Sequence, residues 1–217
     1  MTSQLVEKEG FAALVLRLRA EGISDIDLLT AVEQTPRSRF VPAQFADEAY
    51  STRTIPIECG SFLEGVDLAV RILHHLKVKP GQRVLEVGTG SGFMAAVMGR
   101  IAERVLTIDR YKTLVVNAQK RMDQLSLRNI IVRQADGSNG LQGEGTFDRI
   151  LVTAAFASMP RVYTDQLVSG GSMIAPLMIS DDECRMVRLT KTGSRFEREE
   201  LFTVPYLPIV PRVASQL

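Results

Sequence analysis

From Arg83 onward the apolar residues change period repeatedly, and this alternation constrains the fold more than any other feature of the chain. Arg83–Val87 (RVLEV), Arg104–Ile108 (RVLTI), Asn129–Arg133 (NIIVR) and Phe147–Val152 (FDRILV) are short β-type runs. Between the first three, Gly92–Ile101 and Lys112–Leu125 follow a helical period, the second through Val115, Val116, Ala118 and Met122. Strand, helix and strand in succession make βαβ units, which build a mostly parallel sheet with helices packed on its faces. Ser158–Leu167 predicts one more helix, and Gly170-Gly171 a turn into a strand over Ser172–Leu177. Cys184–Val204 alternates without helical signals and predicts antiparallel strands at an edge. The expected fold class is α/β, a Rossmann-like doubly wound sheet with a helical N-terminal extension.

The extension reads as helices punctuated by breakers. Gly10–Ala20 has helical spacing and Gly22 is a stop. Ser24 or Asp25 can cap a second helix through Ile26, Leu28, Leu29 and Val32, which Pro36 ends. Residues 50–62, with Pro56 and Gly60, read as a loop, and residues 64–77 resume a helical pattern up to the Pro80-Gly81 turn. The expected organisation is a helical extension and substrate loop over 1–78 and a cofactor-binding core over 79–217, packed as one compact domain.

Composition excludes several classes of function. The 217 residues carry 26 basic and 25 acidic side chains, a net charge of +1, with no basic stripe, so no nucleic-acid partner is expected. Cys59 and Cys184 have neither Cys-x-x-Cys nor Cys/His ligand spacing, so no metal site is expected and a reducing compartment is. The opening MTSQLVEKEG lacks an apolar signal core, and no apolar run reaches membrane-spanning length. A cytoplasmic protein without a membrane partner is expected; oligomeric state is not encoded legibly.

The sharpest motif is Glu86-Val87-Gly88-Thr89-Gly90-Ser91-Gly92, which follows a strand and opens a helix. Ligands of open α/β sheets bind beyond the carboxyl ends of strands, where glycines let the backbone approach them. A dinucleotide fingerprint wants glycine at 88, 90 and 93, but position 93 is Phe, and the Gly-Lys-Ser/Thr of a phosphate loop is absent. Asp109 ends the next strand, where a carboxylate can accept both ribose hydroxyls of a nucleoside or simply cap the helix that follows. Asp136-Gly137 ends the third strand, placed for an adenine amino group or for a plain turn. Three carboxylates around a nucleoside pocket without a phosphate-binding lysine suit a cationic, phosphate-free cofactor such as S-adenosylmethionine.

The stretch VLEVGTGSGFMAAVMGRI resembles the cofactor-binding segment of the protein-L-isoaspartate O-methyltransferases. GISD, LLTAVEQTPRSRFVP and IPI resemble that family's helical N-terminal portion, and QADGSNG, FDRILVTAAFASMP and QLVSGGSMIAPL its later loops. The tail VPYLPIVP resembles its closing strand, so the likeness runs from about Leu14 to Pro211. It implies S-adenosylmethionine contacts from Glu86, Gly88, Thr89, Gly90, Ser91, Gly92, Asp109 and Arg110, with Asp136 and Gly137 near the adenine. It places Thr153, Ala154 and Ala155 by the methyl-transfer cleft, and gives Ser61 and Thr153 the task of positioning the acceptor. The implied reaction esterifies the carboxylate of L-isoaspartyl residues in damaged proteins and so starts their repair. Since a carboxylate is already a nucleophile at neutral pH, positioning suffices and no general base is required. A methyltransferase of another acceptor (small molecule, peptide or RNA) and a non-catalytic S-adenosylmethionine-binding protein are the alternatives.

The match breaks at one loop. The family's Gly-x-Gly-Gln-Thr-Ile-Ser-x-Pro is Glu58-Cys59-Gly60-Ser61-Phe62-Leu63-Glu64-Gly65-Val66 here, so Ser61 keeps one hydroxyl and Glu64 stands in place of a serine. Facing a substrate carboxylate, Glu64 would repel it by roughly 4 kcal/mol at 4 Å and an effective dielectric of 20. The favoured expectation is instead a solvated residue at a helix start, where a negative charge suits the dipole. Adjacent His74 and His75 point about 100° apart on a helix and cannot form a dyad. Cys59 reads as a small buried or loop thiol.

Overall fold

The computed structural model describes residues 3–180 and 183–214. Helix α1 (Ser3–Ala20) buries Leu14 and Leu18, and Gly22 ends its turn at positive φ. Asp25 caps α2 (Ile26–Glu33) by accepting the Leu28 N–H at 3.1 Å. The expected loop over 50–62 holds a two-residue ladder, β1 (Ile55–Pro56) against β2 (Phe62–Leu63), joined through a 3-10 turn at Glu58–Gly60. Helix α3 (Val66–Leu76) follows, its N-terminus held by Asp67, which takes both Nε (2.7 Å) and Nη2 (2.9 Å) of Arg17 from α1.

The remaining elements are β3 (Arg83–Val87), α4 (Phe93–Gly99), β4 (Arg104–Asp109), α5 (Lys112–Gln124), β5 (Ile130–Gln134), β6 (Phe147–Val152), α6 (Arg161–Asp165), β7 (Leu167–Met178), β8 (Cys184–Thr192) and β9 (Arg195–Thr203). Seven strands form one sheet in the order β5-β4-β3-β6-β7-β8-β9. The five from β5 to β7 run parallel, and β8 and β9 close the edge antiparallel, as the pattern of the last third predicts. Successive residues of the central strands alternate between two cores. Val84, Val105, Ile130 and Leu151 meet α1 to α4 and Met122 of α5 on one face. Leu85, Leu106, Ile150 and Val152 meet Tyr163 of α6, Leu141 and Phe156 on the other. The first core draws on Leu14, Leu28 and Val66 as well as on the sheet, so it crosses residue 78 without a break.

Three expectations need correction. The helix expected over Ser158–Leu167 is only α6, since Pro160 at its N-terminus delays the start. Gly170 and Gly171 do not turn the chain into a strand but lie inside β7, where the four residues 168–171 of β7 stand opposite Asp148 alone of β6. A Cβ on Gly171 would stand 2.9 Å from the Val168 carbonyl oxygen, so the bulge needs a residue without one. Among the described residues the tail is not a strand: beyond β9 it makes a single bridge, Ala155 to Pro208. Among the described residues, no helix is long and apolar enough to cross a membrane.

Candidate active site

The strand order reverses beside β3: its partner β4 lies on one side and β6 on the other. Chains leaving β3 and β6 there diverge and leave a crevice at their carboxyl ends. A cavity occupies that place. One wall is Glu86–Ser91, Asp109–Tyr111, Ala135 and Gly137 from the strand ends. The other is Cys59–Glu64 from the extension and Tyr206–Val210 from the tail, with Thr153 and Ala154 between them.

The three glycines of the loop all take positive φ, but for different reasons. At Gly88 a Cβ would stand 2.1 Å from Oγ1 of Thr153, so the absent side chain lets β3 and β6 ends approach. At Gly92 it would meet Met122 Cε at 2.7 Å and Ala118 Cβ at 3.1 Å. Gly92 therefore seats α4 against α5 and does not line the cavity, unlike the other members of the motif. At Gly90 the nearest atom is Ile57 Cδ1 at 3.9 Å, and the bare backbone opens onto the cavity.

Asp109, 8% exposed, closes β4. Its Oδ2 accepts the Gly90 N–H at 3.0 Å and its Oδ1 the Tyr111 N–H at 3.0 Å. Burial pushes its carboxyl up, against those same backbone donors, which favour the charged form. The two bonds fix the plane of the carboxylate and leave it facing the cavity with acceptor capacity to spare. Behind it, Thr89 and Thr107 share a hydroxyl hydrogen bond of 2.6 Å, and Thr107 donates to Oε2 of Glu86. Glu86 is fully buried and its Oε1 has no hydrogen-bond partner. Burial pushes its carboxyl up to about 8; the Thr107 bond opposes this, and Glu64 and Asp109 reinforce it.

Asp136 is placed otherwise than expected. It does not line the cavity; Ala135 and Gly137 do. Its Oδ1 takes the Ser138 N–H at 2.8 Å and its Oδ2 the Arg212 N–H at 2.7 Å, which turns it from the adenine position into a clasp on the tail. Burial alone would raise its pKa, but the Ser138 and Arg212 donors win and hold it below the usual range. Arg110 lines the cavity and donates to the Arg212 carbonyl at 3.2 Å.

Glu64 corrects the favoured expectation outright. It is 5% exposed, ahead of the α3 cap at Gly65, and lines the cavity. Tyr206, also buried, donates its hydroxyl to Oε2 of Glu64 at 3.2 Å and stacks on Phe62 with ring centres 6.1 Å apart. Sequence reading missed Tyr206 and Arg37. Arg37 is fully buried over the Phe93 ring and donates to the Glu64 carbonyl at 2.6 Å. An arginine in a Pro-Arg-Ser-Arg stretch gives no signal of burial, and Tyr206 lies in the tail VPYLPIVP, far along the chain from the glycine loop. Ser61 and Thr153 both line the cavity, Thr153 donating to the Gly88 carbonyl at 3.1 Å. His74 and His75 lie on α3 outside it.

The wall of strand ends suits a cationic nucleoside ligand without phosphates. Asp109 offers acceptors for hydroxyls, Gly90 offers a flat approach, the Glu86 carboxyl lacks a partner for Oε1, and Arg110 is the single basic side chain in the lining. Among the described residues, no cluster of metal-ligating side chains occurs.

A family model described as protein-L-isoaspartate(D-aspartate) O-methyltransferase matches residues 9–214. A Rhizobium meliloti protein-L-isoaspartate O-methyltransferase is 67% identical over 94% of this chain and 100% of its own length. Its counterpart in Parvibaculum lavamentivorans is 42% identical over 94% and 92%. Among solved structures, a Plasmodium falciparum protein-L-isoaspartate O-methyltransferase with S-adenosyl-L-homocysteine superposes with a TM-score of 0.80 at 22% identity, over 91% of this chain and 97% of that one.

Proposed function

The chain belongs to the protein-L-isoaspartate(D-aspartate) O-methyltransferase family, and from that premise we propose that it methylates the carboxylate of L-isoaspartyl residues in damaged proteins and peptides, with S-adenosylmethionine as donor. The cofactor supplies, when bound, a methyl group on a sulfonium whose sulfur keeps the bonding electron pair as an acceptor oxygen displaces it. Asp109 would hold the ribose hydroxyls, Gly88 to Gly90 the nucleoside face, and Glu86 the positively charged end. Ser61 would donate to the acceptor carboxylate and aim one oxygen at the methyl, and Thr153 would join it by turning its one hydroxyl proton away from the Gly88 carbonyl.

One observation carries this reading. The cavity sets acceptors and bare glycine on one wall against hydroxyls on the other, and neither histidine nor lysine lines it. Such a site can orient two reactants, and a carboxylate nucleophile needs orientation without the help of a base. Both cysteines are free, which supports a reducing, cytoplasmic location. The test is transfer of labelled methyl to an isoaspartyl peptide, with the aspartyl peptide as control. Base-labile label on the first peptide alone is expected; equal or no labelling of the two overturns the assignment.

A further inference from the structure

Glu64, Glu86 and Asp109 all line the cavity, and all three are buried. Among the described residues none of their carboxyls forms an ion pair. Two of them have a cation within reach: the fully buried Arg37 acts on Glu64, and Arg110 on Asp109. Glu86 has none. Around it, β4 supplies the Thr107 hydroxyl and the Asp109 carboxyl, the residue ahead of the α3 cap is Glu64, and the tail supplies Tyr206, whose hydroxyl burial keeps neutral. Its partner on β6 is Leu151, and α4 gives the cavity only Phe93 and Met94. Oε2 of Glu86 accepts one hydroxyl hydrogen bond, and Oε1 has no partner on the protein. One donor and two like charges in a buried place favour the neutral acid over the carboxylate.

S-adenosylmethionine brings the cation that the protein does not supply, since its amino-acid end carries both a sulfonium and an ammonium. We propose that Glu86 holds a proton before the cofactor binds and releases it to solvent as that cationic end arrives, so that cofactor capture is coupled to proton release. The O–H bond breaks, the electron pair stays on the carboxylate oxygen, and the proton leaves to the buffer. Burial, reinforced by Glu64 and Asp109, lifts the titration of Glu86 to about 8, which agrees with a protonated group at neutral pH. The proton spares the ligand-free fold an uncompensated buried charge, and the carboxylate left behind meets its counter-charge on the cofactor. A neutral nucleoside would use Asp109 and the glycine loop equally well and would leave the proton in place. This rests on the S-adenosylmethionine reading of the cavity and gives that site a dependence on pH.

The test is calorimetric titration at about pH 6.5 in buffers of different ionisation enthalpy, below the cofactor's own amine pKa of about 8. S-adenosylmethionine should release about one proton on binding. Methylthioadenosine, which keeps the nucleoside but lacks the amino-acid end and its charge, should release almost none. Affinity for S-adenosylmethionine should rise about tenfold from about pH 6 to about pH 7, and affinity for the nucleoside less than about twofold. Glu86→Gln, which keeps shape and cannot titrate, should abolish both the release and the rise. Infrared difference spectra secure the attribution should that variant not fold. The band of a protonated carboxyl in the wild type should vanish on adding S-adenosylmethionine, and Thr107→Val, which removes the one donor to Glu86, should shift that band. Binding of S-adenosylmethionine without proton release overturns this proposal alone. So does equal release with the nucleoside, release retained in Glu86→Gln, or a band unmoved in Thr107→Val. Failure of S-adenosylmethionine to bind overturns the cofactor reading and this proposal together.

Discussion

At Asp109 two backbone N–H groups and the cavity share one carboxylate, so its substitution acts on the loop and on the ligand at once. Asp109→Ala should weaken S-adenosylmethionine binding by about 1–3 kcal/mol in calorimetry. Unchanged affinity would remove the ribose assignment. Glu86 gives a prediction in pH. Its carboxyl is raised from 4.5 to about 8, so the folded chain holds a proton that the unfolded chain releases. Its contribution to stability is complete below about pH 4.5 and is lost as pH rises through about 8. The thermal midpoint of the ligand-free wild type should therefore fall across that window more steeply than that of Glu86→Gln. Parallel curves would show that Glu86 titrates normally. The sequence motif announced Glu86, Gly90 and Asp109 because strand ends and glycines have a local signature. Burial of Glu64 has none: it is created by Tyr206, which reaches it from 142 positions further along the chain.

Helices and strands were legible wherever a local cap or period determined them. Asp25, named as one of two candidate caps, is the one that caps α2, and Asp25→Ala should cost about 1 kcal/mol in denaturant unfolding. No loss there would mean that the Leu28 N–H finds water equally well. The bulge of β7 was illegible, because Gly170-Gly171 reads as a turn unless the register of β6 beside it is known. The glycine loop divides between function and support. Gly92→Ala places a methyl against Met122 at positive φ and should lower stability by about 2 kcal/mol, whereas Gly90→Val should damage cofactor affinity more than the melting temperature. Equal effects of the two on affinity would contradict this division between the elements.

For the molecule as a whole, the tail is the part that periodicity could not place. Ala155 donates to Leu207 and accepts from Ile209, each at 2.8 Å, and Asp136 then holds the Arg212 N–H. Ala214 donates to the Arg110 carbonyl at 3.0 Å, so residues from after β6 to after β4 and β5 are tied down by one irregular segment. Asp136→Ala should loosen that segment and raise KM for cofactor and peptide several-fold while shifting the melting temperature little. A large melting shift with unchanged KM would make Asp136 a structural residue alone. Because the Asp136 carboxyl sits below its usual pKa, the clasp is intact above about pH 3.8 and weakens only in stronger acid.

The same tail makes assembly of the cavity a matter of timing. Synthesis delivers the N-terminal residues of a chain first. When β3, β4 and β6 have emerged, the residues of the glycine loop, Asp109 and the Cys59–Glu64 part of the second wall have been made, yet Tyr206–Val210 are still to be translated. A chain ending at residue 203 would thus lack the tail's part of the second wall, and Glu64 would lie without the hydroxyl that holds it. Enclosure of the cavity thus depends on residues 206–210, among the last of the sequence to be made.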